Sequence, residues 1–402
     1  MSDDLRALFL RHVCQTSPAP LGITVGRAAG STVWDTDGHA YLDLLAGMGV
    51  ANVGHAHPEV VAAVRAQAGR HLHVMVYGEL VQEAQVRLAA RLAGLLAPPL
   101  EVVYFTSTGA EAIEGAIKTA RKHTGRARLV AFEGGFHGDT LGALSVGGNA
   151  VYRRPFEPLL PGVTFLPFGD AAALMHGPEA IDERTAAVVV EPVQAEAGVR
   201  VPPADFLPAL RRRCDATGAL LILDEVVTGF GRTGTLFAYE QQGIVPDLLV
   251  LAKALGGGLP LGAFVGARKV MATLSHDPPL AHVTTFGGHP LSCAAGLAAL
   301  EVLLRDGLVA RAATLGASLR DRLRALVGRG GLSAVRGAGL LLGLEFADAP
   351  ASARFAQRAV ARRLILNWTL HRDTVVRLAP PLVLTDAEAE HAVATIADAL
   401  AP

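Results

Sequence analysis

Short apolar runs alternate with helical patterns between residues 100 and 265. The runs are apolar on both faces, which is typical of strands in a parallel sheet that is covered by helices. The predicted strands are LEVVYF (100–105), ARLVAF (127–132), TAAVVVE (185–191), GALLILDE (218–225), DLLVLAK (247–253) and GAFVGA (262–267). Between the first two, residues 110–123 carry apolar positions at helical spacing. This alternation predicts an α/β core whose binding site lies at the carboxyl ends of the strands.

The pattern changes at Pro290. Long amphipathic stretches continue to about residue 328 and predict helices, and the apolar runs at 339–346 and 374–379 predict short strands. Near the amino terminus, STVWDTDGHAYLDL is typical of a hairpin around Asp37-Gly38. Together these segments indicate a smaller second domain. We therefore expect a large domain over 47–293 and a small domain built from 1–46 and 294–402.

The length and the charge of the chain limit the classes of function that it can have. At 402 residues the chain is long enough for two domains. Lys and Arg number 36 against 37 for Asp and Glu, so neither nucleic acid nor an anionic membrane is indicated, and a small-molecule partner is expected. An acidic start without a long apolar stretch predicts a cytoplasmic protein. Cys14, Cys214 and Cys293 lie far apart, which argues against a disulfide framework or a zinc site.

Three predicted strands end at an ionisable residue, namely Glu191, Asp224 and Lys253. Each residue alone could simply mark the exit of a strand into solvent. Neighbouring strands of a parallel sheet end at one crevice, however, so we expect the acid and the lysine to share a partly buried volume. A buried acid needs a cation, and a structural ion pair between Asp224 and Lys253 is one interpretation.

The residues after the lysine favour a ligand instead. LAKALGGGLPLGA places three glycines and a proline there, which suits the close approach of a bulky molecule. A desolvated lysine can form a Schiff base with pyridoxal phosphate (PLP), and an acid commonly partners the pyridinium nitrogen of that cofactor.

PLP also requires a phosphate site. FTSTGAEA (105–112) supplies a turn from a strand into a helix, where free N–H groups favour an anion. The same turn could equally be a plain cap, with Ser107 or Thr108 as the N-cap and Glu111 completing a capping box.

A dinucleotide fingerprint is the competing interpretation. Gly229, Gly231 and Gly234 have the GxGxxG spacing. In that motif the first glycine follows the strand at once and the third lies inside a long helix. Here four residues separate Asp224 from Gly229, and Gly243 soon interrupts the following stretch. We therefore predict that these glycines form a loop, and we favour PLP over a nicotinamide cofactor.

Seven segments follow one another in the order FTSTGAEA, FHGDT, EPVQAEAG, DEVVTGFGRTG, LAKALGGGLPLGA, TTFGGHP and VVRLAPPL. By these motifs the chain resembles the class III, or ω-type, PLP-dependent aminotransferases, the family of ornithine, N-acetylornithine and 4-aminobutyrate aminotransferases. The resemblance spans about residues 20–395. It implies a fold-type-I α/β architecture, with a mainly parallel sheet in the large domain and a smaller α+β second domain. It also implies a homodimer whose active sites are shared between subunits.

The resemblance further implies a role for each matching residue. Lys253 would carry PLP as a Schiff base and then shuttle the proton, while Asp224 would keep the pyridine nitrogen protonated. The other expected cofactor contacts are Phe136, His137 and Val226 at the ring, Glu191 and Gln194 behind it, and Thr108, Gly109 and Ala110 at the phosphate with Thr285 of the partner subunit. The expected substrate contacts are Arg377 as a carboxylate clamp, Glu196 as the acid that pairs with it when an ω-amine is bound, Asp139 and Tyr77.

Two departures from the family leave the substrate open. Members that use ornithine or acetylornithine with 2-oxoglutarate carry arginine after the FHG or FWG triplet, where this chain has Asp139. The residue after Val226, often glutamine, is Val227, which resembles pyruvate-linked ω-aminotransferases and the diaminopelargonate synthase branch.

We expect transfer of an amino group from an amino acid or ω-amine to a 2-keto acid in two half-reactions. The alternatives are an aminomutase, a racemase or a decarboxylase on the same scaffold, a nicotinamide dehydrogenase, and a non-catalytic binding protein. His55-Ala56-His57 could offer two metal ligands, but Gly54 and Pro58 place it in a loop without clustered acids or cysteines. We expect no metal site.

Overall fold

The computed structural model describes residues 4–18, 20–177 and 179–401. The strands are β1 (Val25–Ala29), β2 (Thr32–Asp35), β3 (Ala40–Asp43), β4 (Val102–Thr106), β5 (Arg128–Phe132), β6 (Val163–Leu166), β7 (Thr185–Val190), β8 (Leu220–Asp224), β9 (Leu248–Leu251), β10 (Gly262–Gly266), β11 (Leu332–Ala338), β12 (Leu341–Phe346), β13 (Leu364–Ile365), β14 (Asn367–Thr369) and β15 (Arg372–Leu378). The helices are α1 (Leu5–His12), α2 (Ala46–Gly49), α3 (Pro58–Ala68), α4 (Glu83–Ala93), α5 (Gly109–Thr124), α6 (Leu141–Ser145), α7 (Ala150–Arg153), α8 (Phe206–Thr217), α9 (Tyr239–Gln242), α10 (Arg268–Met271), α11 (Pro290–Arg305), α12 (Leu308–Arg324), α13 (Ala349–Ala361) and α14 (Asp386–Ala399). Short 3₁₀ turns cover Arg154–Phe156, Lys253–Gly256 and Ala272–Ser275.

The central sheet has the strand order β4-β10-β9-β8-β7-β5-β6, counted over the described residues. All six apolar runs predicted as strands lie in it, and β6 is a strand that the pattern did not reveal. Strands β6, β5, β7, β8 and β9 are mutually parallel, as predicted. Strand β10 is antiparallel to both β4 and β9, so the sheet is mainly parallel, as predicted, with one antiparallel strand. The connection from β9 to β10 carries only a short 3₁₀ turn, whereas a parallel crossover needs a dozen residues or more.

Helices cover both faces of this sheet. Helix α5 was predicted over 110–123 and packs so closely on one face that a Cβ on Gly115 would lie 2.3 Å from the Phe264 ring. Helices α4 and α11 contribute Leu88 and Leu300 to the core on the other face. Strand β7 is buried along its whole length, which explains its continuous apolar sequence.

Two smaller sheets accompany the central one among the described residues, with the orders β1-β2-β3-β13 and β11-β12-β15-β14. The hairpin expected around Asp37-Gly38 joins β2 to β3. Strand β13 pairs with β3, so the two ends of the chain share a sheet. This arrangement agrees with the predicted α/β class and the smaller second domain, while the exact boundaries remain a prediction. In the described part of the chain, no helix is long and apolar enough to cross a bilayer.

The GxGxxG segment forms a loop, as predicted. It lies in the irregular connection between β8 and the one-turn helix α9. Gly231 and Gly234 have positive φ angles of 87° and 99°, and a Cβ on Gly234 would lie 3.0 Å from Ala313. These glycines therefore serve close packing against α12, and the third glycine lies outside any helix.

Candidate active site

A cavity of about 410 Å³ lies at the carboxyl ends of β8 and β9. This volume suits a small molecule. Its lining comes from the turn after β4, the loop around residue 137, the ends of β7, β8 and β9, and the glycine-rich connection: Val50, Ser107, Thr108, Gly109, Ala110, Phe136, His137, Gly138, Glu191, Glu196, Asp224, Val226, Val227, Ala252, Lys253, Gly258, Leu259, Pro260 and Leu261. The sheet thus brings together the three ionisable residues that the sequence placed at strand ends.

Asp224 is buried and pairs with a histidine. Its Oδ2 lies 2.7 Å from Nδ1 of His137, and its Oδ1 accepts the Val226 N–H at 3.0 Å. Burial opposes charge on His137, but the hydrogen bond that His137 donates to Asp224 and the charge of that carboxylate outweigh it and raise the pKa of His137. The described partner of the buried acid is therefore His137, and no ion pair between Asp224 and Lys253 is present among the described residues.

Glu191 lies behind this pair. Its two oxygens accept the N–H groups of Phe136 at 3.0 Å and Ala195 at 3.2 Å. Burial is the main reason why the pKa of Glu191 rises to about 7, and the nearby Asp224 carboxylate acts in the same direction. Glu191 thereby ties the loop that carries Phe136 and His137 to the segment that follows β7.

Lys253 projects into the cavity from an unusual backbone position. It follows β9 with a positive φ of 49°, a conformation that is strained for a residue with a Cβ. Burial lowers the pKa of its amine, while the carboxylates of Glu196 and Asp224 act in the opposite direction. Among the described residues no hydrogen bond or ion pair engages this amine. An unpaired amine with a lowered pKa is a nucleophile.

The turn after β4 was expected to serve as a helix cap, as an anion site, or as both. Thr108 is the N-cap of α5, and its hydroxyl oxygen accepts the Glu111 N–H at 3.1 Å. The Glu111 carboxylate in turn accepts the Ser107 N–H at 2.7 Å. The cap therefore forms, and Gly109 and Ala110 at the start of α5 line the cavity, where a helix amino terminus favours an anion.

Small residues keep space open beside this turn. A Cβ on Gly109 would lie 3.0 Å from Val226, and one on Gly138 would lie 2.5 Å from the Ala110 Cβ. Phe136 and Val226 both line the cavity. Larger side chains at the two glycines would push into the walls that these residues form.

Arg377, in β15, forms a buried ion pair with Glu196, which lines the cavity. Burial opposes the charge of Glu196, but Arg377 outweighs it and lowers the pKa of that carboxyl. The other N–H donors of Arg377 have weak hydrogen bonds or none. Nη2 contacts only the Met48 sulfur, at 3.3 Å, and Nε has no partner among the described residues. A guanidinium with unused N–H donors can bind a second carboxylate.

Five predicted site residues lie outside the cavity lining. One of them, Arg377, contacts the lining through its ion pair with Glu196. Gln194 is buried and donates to the Glu133 carbonyl at 2.9 Å. Asp139 is exposed. Tyr77 lines a separate surface cavity that also includes Thr284, and Thr285 itself is exposed.

Sequence analysis missed two contacts of the site. Met48 lies on a left-handed turn, with φ angles of 51° at Ala46 and 69° at Met48, and touches Arg377. The turn between β14 and β15 reaches Glu196 through the Leu370 N–H at 2.9 Å. Gly47 and Gly49 beside Met48 are a signal for the first contact, whereas nothing in the sequence indicates the second.

Comparison with known proteins identifies the family. A model of the class-III aminotransferases matches residues 14–400. The chain is 44% identical over 401 residues to an acetylornithine aminotransferase of Methanopyrus kandleri, which covers 99% of both proteins. The chain belongs to the class-III aminotransferases. Among solved structures, an ornithine aminotransferase of Toxoplasma gondii superimposes with a TM-score of 0.92 at 33% identity, covering 100% of this chain and 94% of that one. An amine transaminase from an uncultivated Pseudomonas species in the PLP-bound form gives 0.87 at 32% identity, with 97% of each chain covered.

The protein is therefore a PLP-dependent aminotransferase with the fold of that group, and its own residues fit the cofactor. The cavity is lined by an unpaired lysine amine, a buried aspartate and a helix amino terminus. Gly109 leaves space at that terminus because it has no side chain. The Nε2 atom of His137 is buried without a hydrogen-bond partner among the described residues. Such an atom is expected where a ligand completes the site.

Proposed function

We propose that this aminotransferase holds PLP between Asp224, Lys253 and the turn at residues 107–110. The supporting observation is that an acid, an unpaired amine and a helix amino terminus line one cavity. PLP, when bound, supplies an electron sink for the charge that develops beside the substrate nitrogen. The protein's contribution is to hold that ring, to move a proton and to select the substrate.

Lys253 is the proposed covalent attachment point and proton carrier. Its lowered pKa favours the neutral amine, which would hold the cofactor covalently and, once an incoming amine has freed it, would act as the base that accepts a proton. Lys253 has a left-handed backbone and lines the same cavity as Asp224. Removing the amine should therefore abolish both attachment and proton transfer.

Asp224 is the proposed partner of the pyridine nitrogen. His137 and the Val226 N–H both bind this carboxylate, which keeps its orientation fixed inside the protein. Glu191 fixes the Phe136 backbone, so the aromatic ring has a defined position against the cofactor. We assign Phe136 and Val226 to the two ring faces, and Gln194 to the layer behind them.

The phosphate end is the part that we propose to be completed by a second subunit. Thr108, Gly109 and Ala110 would bind phosphate from one side, and Thr285 of the partner subunit from the other. Large apolar side chains are exposed around Thr285 and Tyr77, and we call this set the apolar surface: Leu72, Met75, Tyr77, Leu80, Val81, Val86, Leu280, Val283 and Phe286. Exposed apolar side chains in such number are typical of an interface, which supports a homodimer.

The substrate end is proposed to accept two kinds of donor. With Glu196 on Arg377, the charge of the arginine is neutralised, and an ω-amine without a nearby carboxylate can bind. With Glu196 displaced, Arg377 can hold an α-carboxylate through its unused donors. Acetylornithine and ornithine, named for the relatives, are candidate donors. Asp139 carries negative charge where a second carboxylate clamp would be needed, so we expect a monocarboxylic keto acid to be the better acceptor.

Two further proposals concern the whole chain. The central sheet lies between residues 102 and 266, and the smaller sheets lie on either side of it in sequence, which supports domains at 47–293 and at 1–46 with 294–402. Cys214 and Cys293 are free buried thiols, which fits the reducing cytoplasm.

The test is chemical labelling of the purified holoenzyme. We expect a yellow absorbance that borohydride bleaches, and peptide mass analysis should find the reduced cofactor on Lys253. Lys253→Ala should retain no label, and Lys269→Ala, which changes an exposed lysine, should be labelled like the wild type. Label on another residue would refute the role of Lys253. Screening donors against pyruvate and 2-oxoglutarate then ranks the substrates, and a strong preference for 2-oxoglutarate would contradict the inference from Asp139.

A further inference from the structure

The turn between β14 and β15 holds Glu196 by two separate contacts. The Leu370 N–H donates to Glu196 Oε2 at 2.9 Å, and the His371 N–H donates to the Glu196 backbone carbonyl at 2.9 Å. The other carboxylate oxygen, Oε1, binds Arg377. The turn therefore sets the position of the acid that covers the arginine.

The turn is itself fastened to the large sheet's side of the cavity. The Tyr152 hydroxyl donates to the Leu370 carbonyl at 2.6 Å, and its ring lies 5.0 Å from the His371 ring. Nδ1 of His371 lies 3.2 Å from the Gly134 carbonyl, which can only accept, so Nδ1 is the donor. The His371 ring also meets Phe136 edge-on at 5.7 Å. These contacts join the turn to the loop that lines the cavity.

We propose that Tyr152 and His371 are specificity-determining residues that act through Glu196. By fixing the turn, they keep the Leu370 N–H in place and so favour the state in which Glu196 covers Arg377. A substrate that brings its own carboxylate must displace Glu196, and the cost of doing so depends on how firmly the turn is held. This inference rests on the proposed role of Arg377 in binding a carboxylate.

The geometry gives the direction of the effect. Tyr152 and Leu370 are partly exposed, with 37% and 42% of their surface accessible, so the turn can shift without opening the core. Glu196 and Arg377 are buried, which makes their separation sensitive to each remaining hydrogen bond. Loosening the turn should therefore help carboxylate-bearing donors and hinder those without a carboxylate.

Tyr152→Phe in the holoenzyme is the direct test, because it removes one hydrogen bond and keeps the ring. Alanine and ethylamine, which differ only in the carboxylate, serve as donors, and the first half-reaction is followed by the cofactor absorbance. We expect the ratio of kcat/KM for alanine to that for ethylamine to rise about 3–10-fold. The change should lie in KM, which should fall for alanine and rise for ethylamine, with kcat unaltered.

Matched variants separate this effect from general loosening. Tyr41→Phe removes a hydroxyl that donates to Asp35 at 3.3 Å in the β2–β3 hairpin, and the ratio should stay at the wild-type value. His371→Leu removes the Gly134 contact and should shift the ratio in the same direction as Tyr152→Phe. It provides a second reading if Tyr152→Phe folds poorly.

A double variant distinguishes this inference from the proposed function. In an Arg377→Ala background, Tyr152→Phe should no longer change the ratio, because the arginine that Glu196 covers is absent. An unchanged KM for alanine in Arg377→Ala would refute the role of Arg377 itself. A raised KM in Arg377→Ala, together with a wild-type ratio in Tyr152→Phe and His371→Leu, would overturn only the proposal about the turn.

Discussion

The two ends of the proposed site are built differently. The inner end consists of His137, Glu191 and Asp224, which are all at most 5% exposed and are bonded to one another or to backbone N–H groups. The outer end consists of Glu196 and Arg377, whose pairing leaves Arg377 Nε without a partner among the described residues. The three inner residues are held by hydrogen bonds on fixed partners, whereas the outer pair keeps an unused donor.

This difference corresponds to what each end must do. The inner end meets the same cofactor in every turnover, so a fixed hydrogen-bond network can be organised around it in advance. The outer end must accept donors and acceptors of different charge in successive half-reactions. An ion pair that can be exchanged serves that purpose better than a fully bonded network. Variants at the two ends should therefore fail in different ways.

Asp224→Asn should have the largest effect, because it breaks the inner end. The amide cannot hold a protonated pyridine nitrogen, and it leaves His137 without its buried partner charge. We expect kcat to fall about 10²–10³-fold with donors of both kinds. Stopped-flow absorbance with saturated cofactor measures the loss.

Glu225→Gln is the matched control for this variant. Glu225 is the next residue in the chain and is fully buried, but it does not line the cavity. Its kcat should stay within a few-fold of the wild type. If kcat fell equally in the two variants, the loss would come from disturbing a buried acid in general. The assignment of Asp224 to the pyridine nitrogen would then have no support.

Arg377→Ala should break the outer end alone. A charge-assisted hydrogen bond contributes about 1.5–3 kcal/mol, which corresponds to a rise of about 10–100-fold in KM for substrates with a carboxylate. Amines without a carboxylate should be less affected. Arg324→Ala, which changes an exposed arginine of α12, should leave the kinetics unaltered. A loss that is equal for all donors would place Arg377 among structural residues instead.

Thr285→Val should weaken cofactor binding if a second subunit completes the phosphate end. Loss of one hydroxyl donor to a phosphate predicts a Kd for PLP that is about 10-fold higher, with the dimer intact by light scattering. Thr314→Val, on the exposed face of α12, should bind PLP normally. A wild-type Kd in Thr285→Val, or a protein that is monomeric and fully active, would refute the shared site.

Sequence patterns predicted the inner end better than the outer end, for a physical reason. Asp224 and Lys253 follow buried apolar strands, and strand order is a local signal that also specifies where strand ends meet. The pairing of Asp224 with His137 joins residues that are 87 positions apart and has no periodic signature. The contact between Leu370 and Glu196 spans 174 positions and uses a backbone N–H, which every residue except proline offers. Motifs predicted the candidate site residues, whereas packing decided which of them touch.

The smallest expected effect concerns the pH dependence of stability, and it comes from the buried acid Glu225. Glu225 accepts the N–H groups of Ala238 at 2.7 Å and Tyr239 at 2.8 Å, and burial raises its pKa from 4.5 to about 7. Between these values the folded protein binds a proton that the unfolded chain has released. The stabilising contribution of Glu225 is thus fully present below about pH 4.5 and is lost as the pH rises through about 7.

Glu225→Gln should therefore flatten the pH dependence of thermal stability. We expect the fall in apparent Tm from about pH 5 to pH 8 to be smaller than in the wild type by a few degrees, measured at one scan rate. Glu191 also has a pKa raised to about 7, so part of the dependence should remain. Glu183→Gln, at an exposed position, should follow the wild-type curve. A wild-type slope in Glu225→Gln would mean that this buried acid is ionised throughout the range, and that its backbone hydrogen bonds outweigh its burial.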